Sequence, residues 1–428
     1  MRARSAIGVV VALILAGSMW FYVDHILVPY QRADAVRHGR PRGNLSDLYP
    51  RWLGAREFLL HHRDPYSPEI TREIQMGYYG RPLDSVRPDD PRDQQAFAYP
   101  IYVVYLLAPF TRYRFEAVQA VFRWVLLSLT LASVFWWKRA QAWRPGGKTL
   151  LILSMLVLGS YPAVQGIKLQ QLSLLVSAII AAGVATLGAG SLFVSGALLA
   201  LATIKPQIAL PLAGWLTMWS LSDLKSRRNF LGGFYLTLGA LITASEYQLP
   251  GWIGRFREAV AGYRQYTDSR SLLDVLLTPT VGKVAAVALI LLVVFVCWQR
   301  RRAAASSDEF ALCTALVLAA TVVVIPTFAP YNQLLLLPAI LLILRFRERW
   351  WQKTASRIVF IIAGGLIVWP WLAALALTLA SFFVPPSAVQ QAWAVPLFTS
   401  LGIPLGVLAV LAFLLRDEPR LHFPSPGR

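Results

Sequence analysis

Long apolar runs follow one another from end to end of this chain, each closed by a short basic or polar cluster. A run of about 17–25 residues crosses a ~30 Å hydrocarbon layer as a helix. None of these runs alternates with period two, as barrel strands do, and in lipid a helix satisfies its backbone groups within the segment. The pattern predicts an all-α integral membrane protein with about twelve spans, at 5–27, 115–137, 149–166, 171–188, 191–205, 207–222, 230–248, 282–299, 309–326, 331–345, 358–382 and 395–415. The apolar stretch 97–110 does not fit. It is short, and counting it as a span moves the Lys138 cluster to the other side. It reads as a helix lying in or dipping into the outer interface, and the alternative is thirteen spans with the C-terminus outside.

Composition agrees with that pattern. Of 428 residues 56% are hydrophobic and 15% charged, with mean hydropathy +0.52, whereas soluble domains carry about 25% charged residues. The formal charge of +19 invites a nucleic-acid reading. The basic residues are instead scattered between apolar spans, with no basic face or basic domain left over, so nucleic acid is not an expected partner. Arg2 and Arg4, then Lys138, Arg139, Arg144 and Lys148, Lys225, Arg227 and Arg228, Arg300 to Arg302, the Arg345 to Arg357 group and Arg416 all fall on the cytoplasmic side of a twelve-span chain. Both termini are then inside. The arginine-rich segment before the second span is long enough to escape the positive-inside rule. Ala6 to Val23 lacks a clean cleavage site before Trp20-Phe21-Tyr22 and reads as an uncleaved signal anchor. Cys297 and Cys313 lie in or beside apolar spans and read as packing residues.

One polytopic domain, 1–428, is expected, with an extracytoplasmic segment 30–113 containing juxtamembrane helices and a second at 250–281. Within the first, Ser46 or Asp47 suits an N-cap, Pro50 the first turn, and Leu53, Phe58, Leu59 and Leu60 an apolar face. Asp64-Pro65 closes that helix, because Pro65 cannot continue it. On spacing alone Asp47 is a helix cap. In the second segment Trp252, Phe256, Val260 and Tyr263 recur at helical spacing beside Arg255, Arg257 and Arg264. That is an amphipathic interfacial helix, which lies on the bilayer or covers a lipid substrate with Arg264 or Arg257 near its phosphate.

Further basic residues sit near the same face. Lys205 closes one span and Lys168 lies between two, where each either snorkels to head groups or binds a phosphate. Arg123 lies inside the apolar stretch 118–134, where a charge needs a cavity or a partner such as Glu116. His61 and His62 lack a third ligand at metal spacing and read as solvated loop residues.

Asp47-Leu48 followed by Ala55 and then Asp64-Pro65-Tyr66 resembles the first external loop of glycosyltransferase family 87. So does Phe97-Ala98-Tyr99-Pro100, and so do the blocks Gly166 to Leu175, Ala202 to Gln207 and Tyr331 to Ala339, in the family's order. The resemblance implies a GT-C membrane fold. It further implies inverting transfer of a sugar, typically mannose, from a polyprenyl phosphate to a lipid or glycan acceptor on the extracytoplasmic face of the cell membrane. Asp47 takes the place of the catalytic base, since inversion needs one carboxylate within reach of the acceptor hydroxyl. Lys205, Lys168, Arg123 and Arg264 become candidates for the donor phosphate, and Trp52, Tyr99 and Asn332 for substrate contacts. A monophosphate can be stabilised by such groups without a metal, so no cofactor is expected, and no DxD pair appears.

Two departures stand out. Mannosyltransferases of the family carry a His where this chain has Phe328-Ala329-Pro330-Tyr331-Asn332, so the donor phosphate must be met by another residue, with Lys205 or Asn332 in reach. The Gly before Asp-Pro-Tyr is replaced by His61-His62-Arg63. The rival readings are a multi-span transporter or lipid flippase, a class commonly built from internal repeats that this chain lacks, and a non-catalytic assembly subunit.

Overall fold

The computed structural model describes residues 2–39, 46–84, 86–266, 270–326, 328–351 and 353–417, and among them every regular element is helical. The chain enters as α1 (Arg2–Tyr22), passes through one wide turn at Val23–Leu27 and continues as α2 (Val28–Arg37). Next come α3 (Tyr49–His61), α4 (Pro68–Tyr79) and the five-residue α5 (Val103–Leu107), then α6 (Phe115–Ala140), α7 (Gly147–Leu158) and α8 (Tyr161–Lys168). Helices α9 (Leu172–Gly188), α10 (Leu192–Ala202), α11 (Pro206–Leu221) and α12 (Leu224–Gln248) lead to α13 (Trp252–Tyr266), α14 (Leu272–Leu276), α15 (Pro279–Gln299) and α16 (Asp308–Val324). A 3₁₀ segment, Pro330–Leu336, leads into α17 (Leu337–Arg345), followed by α18 (Arg347–Trp350), α19 (Thr354–Ala380), α20 (Pro386–Gln391) and α21 (Gly402–Asp417).

Helices occupy all the positions that the apolar pattern assigned, but not all have the length to span alone. Among the described residues, Ala6–Arg37, Phe115–Ala140, Pro279–Gln299, Thr354–Ala380 and Pro386–Arg416 are long and apolar enough to cross a membrane, with α7 and α8 a sixth if that pair is one span. The exposure pattern is that of a multi-pass membrane protein. Helix α15 turns Val284, Leu291, Leu292 and Phe295 outward, α19 does so with Ile358, Ile361 and Ile362, and α9 and α16 are buried nearly all round. Apolar outer helices around apolar inner ones need a solvent of hydrocarbon.

Backbone groups exposed by helix breaks are taken up by neighbouring side chains, as a dry interior demands. Helices α7 and α8 meet at 52°. At that break Trp20 Nε1 donates to the Leu158 carbonyl at 3.2 Å and Trp371 Nε1 to that of Gly159 at 2.7 Å. A Cβ at Gly159 would strike the Ala16 backbone, so α1 crosses at the break itself. Likewise a Cβ at Gly196 would strike the Phe230 carbonyl, and one at Gly233 that of Phe193, so α10 and α12 touch backbone to backbone.

The segment between α2 and α6 departs from the sequence expectation in two ways. Helix α3 starts without a side-chain cap, its N-cap position is Leu48, and neither Ser46 nor Asp47 serves as one. The helix stops at His62, left-handed at φ 55°, before Asp64-Pro65 is reached. The stretch 97–110 is not an interfacial helix. Phe97, Ile101, Val103, Val104 and Leu107 are fully buried in a core shared with α3, and only α5 and one 3₁₀ turn are helical. Protein covers the apolar side chains of Phe97 to Val104. His61 and His62 are exposed, and both cysteines are buried, as the sequence indicated.

Candidate active site

The α8–α9 turn and the residues before α3 are stitched together. Helix α8 ends in a tight turn in which Gln171 N–H donates back to the Gly166 carbonyl at 2.8 Å, and Gln170 is forced to φ 48°. The Gln170 side chain locks that turn, donating to the carbonyls of Ile167 at 2.9 Å and Lys168 at 2.8 Å and accepting from Gln119 at 3.1 Å. The turn then presents two groups to Asp47. The Leu169 carbonyl accepts the Asp47 N–H at 2.8 Å, and the Gln171 amide donates to Asp47 Oδ2. One helical turn on, Arg51 donates to the Asp47 carbonyl at 2.8 Å and lays its guanidinium 4.7 Å from the Tyr99 ring centre.

Opposite lies the α10–α11 junction. Thr203 accepts from Tyr102 at 3.0 Å, and Lys205 stands just before Pro206, the first residue of α11. Lys205 Nζ lies 5.7 Å from the Tyr99 ring centre and 5.6 Å from that of Tyr331, so Tyr99 is flanked by two cations. Helix α13 covers this ground with Phe256, Arg257, Val260, Tyr263 and Arg264, and the loop before α5 adds Asp93 and Gln95. Together they enclose a cavity of about 530 Å³, within the ~300–1,000 Å³ range of small-molecule sites.

Burial raises the Asp47 carboxyl above its ordinary value. The Arg51 charge opposes the rise, the Asp93 charge adds to it, and Lys205 and the Gln171 hydrogen bond oppose it further. Asp93 is also raised, first by burial, although Gln95 donates to it from main chain and side chain at 3.0 and 2.8 Å. Burial lifts the Tyr263 phenol to about 12, with the Asp93 charge next in effect. Two carboxylates therefore share the cavity with Arg51, Lys205, Arg257 and Arg264. That arrangement suits an anionic substrate and a proton acceptor at once.

Of the residues singled out in sequence, Asp47, Lys205, Arg264, Tyr99 and Asn332 meet at this cavity. Three do not. Lys168 forms an ion pair with Asp24 in the wide turn after α1 and sits 5.4 Å from the Trp20 ring centre. Arg123 is on the exposed face of α6, and Glu116 lies 3.7 Å from Arg114 instead. Trp52 packs on Tyr49 and Phe115 and donates to the Phe110 carbonyl at 3.1 Å, holding the stretch after α5. Among Arg51, Asp93, Gln95 and Gln171, to which sequence reasoning gave no role, two carried a signal. Arg51 lies four residues after Asp47, the spacing of one helical face. Gln170-Gln171 between two apolar spans needed partners at membrane depth. Asp93, in a polar loop, carried none.

Residues 97–330 match the family model of glycosyltransferase family 87. The chain belongs to that family. It is therefore a glycosyltransferase of the membrane. The matched region contains Tyr99, Gln171, Lys205, the whole of α13 and Tyr263, but begins after Asp47. Asp47 joins the family's region through the hydrogen bonds with Leu169 and Gln171. Comparison with curated proteins gives no match, and comparison with solved structures gives none. Among the described residues no three His, Cys, Asp or Glu side chains converge as metal ligands would.

Proposed function

We propose that this family 87 glycosyltransferase moves a sugar, mannose by family resemblance, from a polyprenyl phosphate to a lipid or glycan acceptor, with inversion and with Asp47 as general base. The observation that supports this best is the shared cavity. Asp47 lines it together with Arg257 and Arg264 on the covering helix α13.

In this reading the acceptor hydroxyl donates to Asp47. As its proton passes to the carboxylate, the oxygen attacks the anomeric carbon from the face opposite the phosphate. The bond from that carbon to the phosphate oxygen breaks, and the electron pair leaves with the polyprenyl phosphate. Arg257 and Arg264 stabilise the charge gathering there, the task that charge-assisted, bidentate hydrogen bonds perform well. Arg51 holds the Asp47 main chain and Tyr99 while adding positive potential. The reading assigns the phosphate charge to arginines and calls for no metal. We place the cavity on the extracytoplasmic side of the cell membrane, in a GT-C-like bundle of twelve spans, on the strength of the basic clusters that alternate with the apolar runs.

The purified protein, incubated with radiolabelled polyprenyl-phosphate mannose and total membrane lipid, should yield a new labelled glycolipid. Equilibration of the label across vesicles without a new product would instead indicate a flippase, and neither outcome an assembly subunit.

A further inference from the structure

Lys205 stands where a phosphate ligand was expected, yet its ammonium is turned inward. It is 7% exposed and donates to Gln171 Oε1 at 3.2 Å and Ser173 Oγ at 2.7 Å. An ammonium has protons to give and no lone pair to offer. Gln171 must therefore turn its oxygen towards Lys205, which leaves its NH₂ facing Asp47, and it donates there to Oδ2. The amide orientation is dictated by the lysine.

The same reasoning runs the other way. Ser173 is fully buried, accepts from Lys205, and has one proton, which goes to Asn332 Oδ1 at 2.8 Å. With its oxygen engaged, Asn332 has its amide nitrogen left to donate. No acceptor among the described residues takes those protons, and Asn332 lines the cavity. At the far end no donor among the described residues reaches Asp47 Oδ1.

Resting on the glycosyl-transfer reading above, we propose that Lys205 is a positioning residue rather than a phosphate ligand. It fixes the direction of the chain Asp47–Gln171–Lys205–Ser173–Asn332, which presents a proton acceptor at its Asp47 end and a hydrogen-bond donor at its Asn332 end. The two ends suit partners of opposite sense. A hydroxyl that must lose its proton meets Asp47, and an oxygen of the donor's sugar or phosphate meets the Asn332 amide.

The test uses the full-length protein in detergent, with initial rates measured against polyprenyl-phosphate mannose concentration and pH. Gln171→Met and Lys205→Met should each lower kcat about 100-fold, a loss in the range of a misplaced base. Both should move the acid limb of the pH profile upward, and Gln171→Met, which leaves the Lys205–Ser173–Asn332 end intact, should keep the donor KM within about threefold, the pattern of an interaction made in the transition state. The double variant should be no worse than either single one, because the two residues act as a unit. Lys205→Arg, which restores the donor, should recover part of the loss. A donor KM raised tenfold or more in Lys205→Met, with kcat and pH profile kept, would overturn the proposal.

A second readout does not need turnover. Infrared difference spectra against Asp47→Asn follow the Asp47 carboxyl titration in wild type and in both Met variants. That titration should move to higher pH in each variant, and an unmoved titration overturns the inference. A wild type that titrates as expected but transfers no sugar would count against the glycosyl-transfer reading alone. Thermal melts of each variant show that the fold is kept.

Discussion

The main-chain N–H of Asp47 donates to the carbonyl of Leu169 at 2.8 Å, and that bond ties the carboxylate to the turn between α8 and α9. The turn holds its shape because Gln170 sits at φ 48° with its side chain closing over the carbonyls of Ile167 and Lys168. A β-branched residue there loses both amide bonds and meets left-handed backbone strain of roughly 1–2 kcal/mol. Gln170→Val should therefore lower kcat by about tenfold with donor KM little changed, as a misplaced base does. Equal kcat in steady-state assays would remove the turn from the account of how the base is placed.

Asp47→Asn should reduce transfer by about 10²–10⁴-fold, the contribution of a general base. It should also stabilise the protein. Burial raises the folded-state pKa of Asp47, so the native state binds more protons than the unfolded chain. Stability from this group is fully present below the unfolded value and is lost as pH rises through the raised folded value. A neutral amide escapes the loss, and the apparent melting temperature at neutral pH should rise. A lower melting temperature would show that the carboxylate stabilises the site instead.

The same shift sets the direction of the pH profile. A general base works deprotonated, so in the proposed role of Asp47 an upward shift moves the acid limb of kcat/KM above the ordinary carboxylate range near pH ~4. Activity should climb with pH through that limb. A limb at or below the ordinary value contradicts the raised carboxyl of Asp47.

Arg257→Gln and Arg264→Gln remove charges that line the cavity from α13, and each should raise the donor KM about tenfold, the loss of one charge-assisted contact. Arg123→Gln, on the exposed face of α6, should leave both constants at wild-type values. Lys168→Met breaks the ion pair with Asp24, so it should lower the melting temperature while the folded fraction keeps its donor KM. If Lys168→Met raised the donor KM as strongly as Arg264→Gln, the phosphate site would have to include the end of α8.

Incubation with EDTA should leave transfer unchanged if arginines alone meet the phosphate charge. Loss of activity on chelation, restored by a divalent cation, would rule out the metal-free reading.

The apolar runs determined that the chain is helical and membrane-embedded, because hydrocarbon solvent leaves the backbone few alternatives. The motif at Asp47 was legible, as were the α13 stripe and the positions of Lys205, Tyr99 and Asn332, since each departs from its surroundings in charge or period. Partnership was not legible. Lys168 and Lys205 look alike in sequence, both being cations at the end of an apolar stretch, yet one meets Asp24 and the other Gln171 and Ser173. Whether 97–110 met lipid or protein depended on α3, where a Cβ at Gly54 would strike the Phe97 ring. Asp47 looked like a cap until the turn at Gln170 supplied its partners. Local pattern fixes what a segment can be, whereas side-chain hydrogen bonds and ion pairs act over a few ångströms. Only the packing of distant segments brings Asp47, Gln171, Lys205 and Asn332 within that reach.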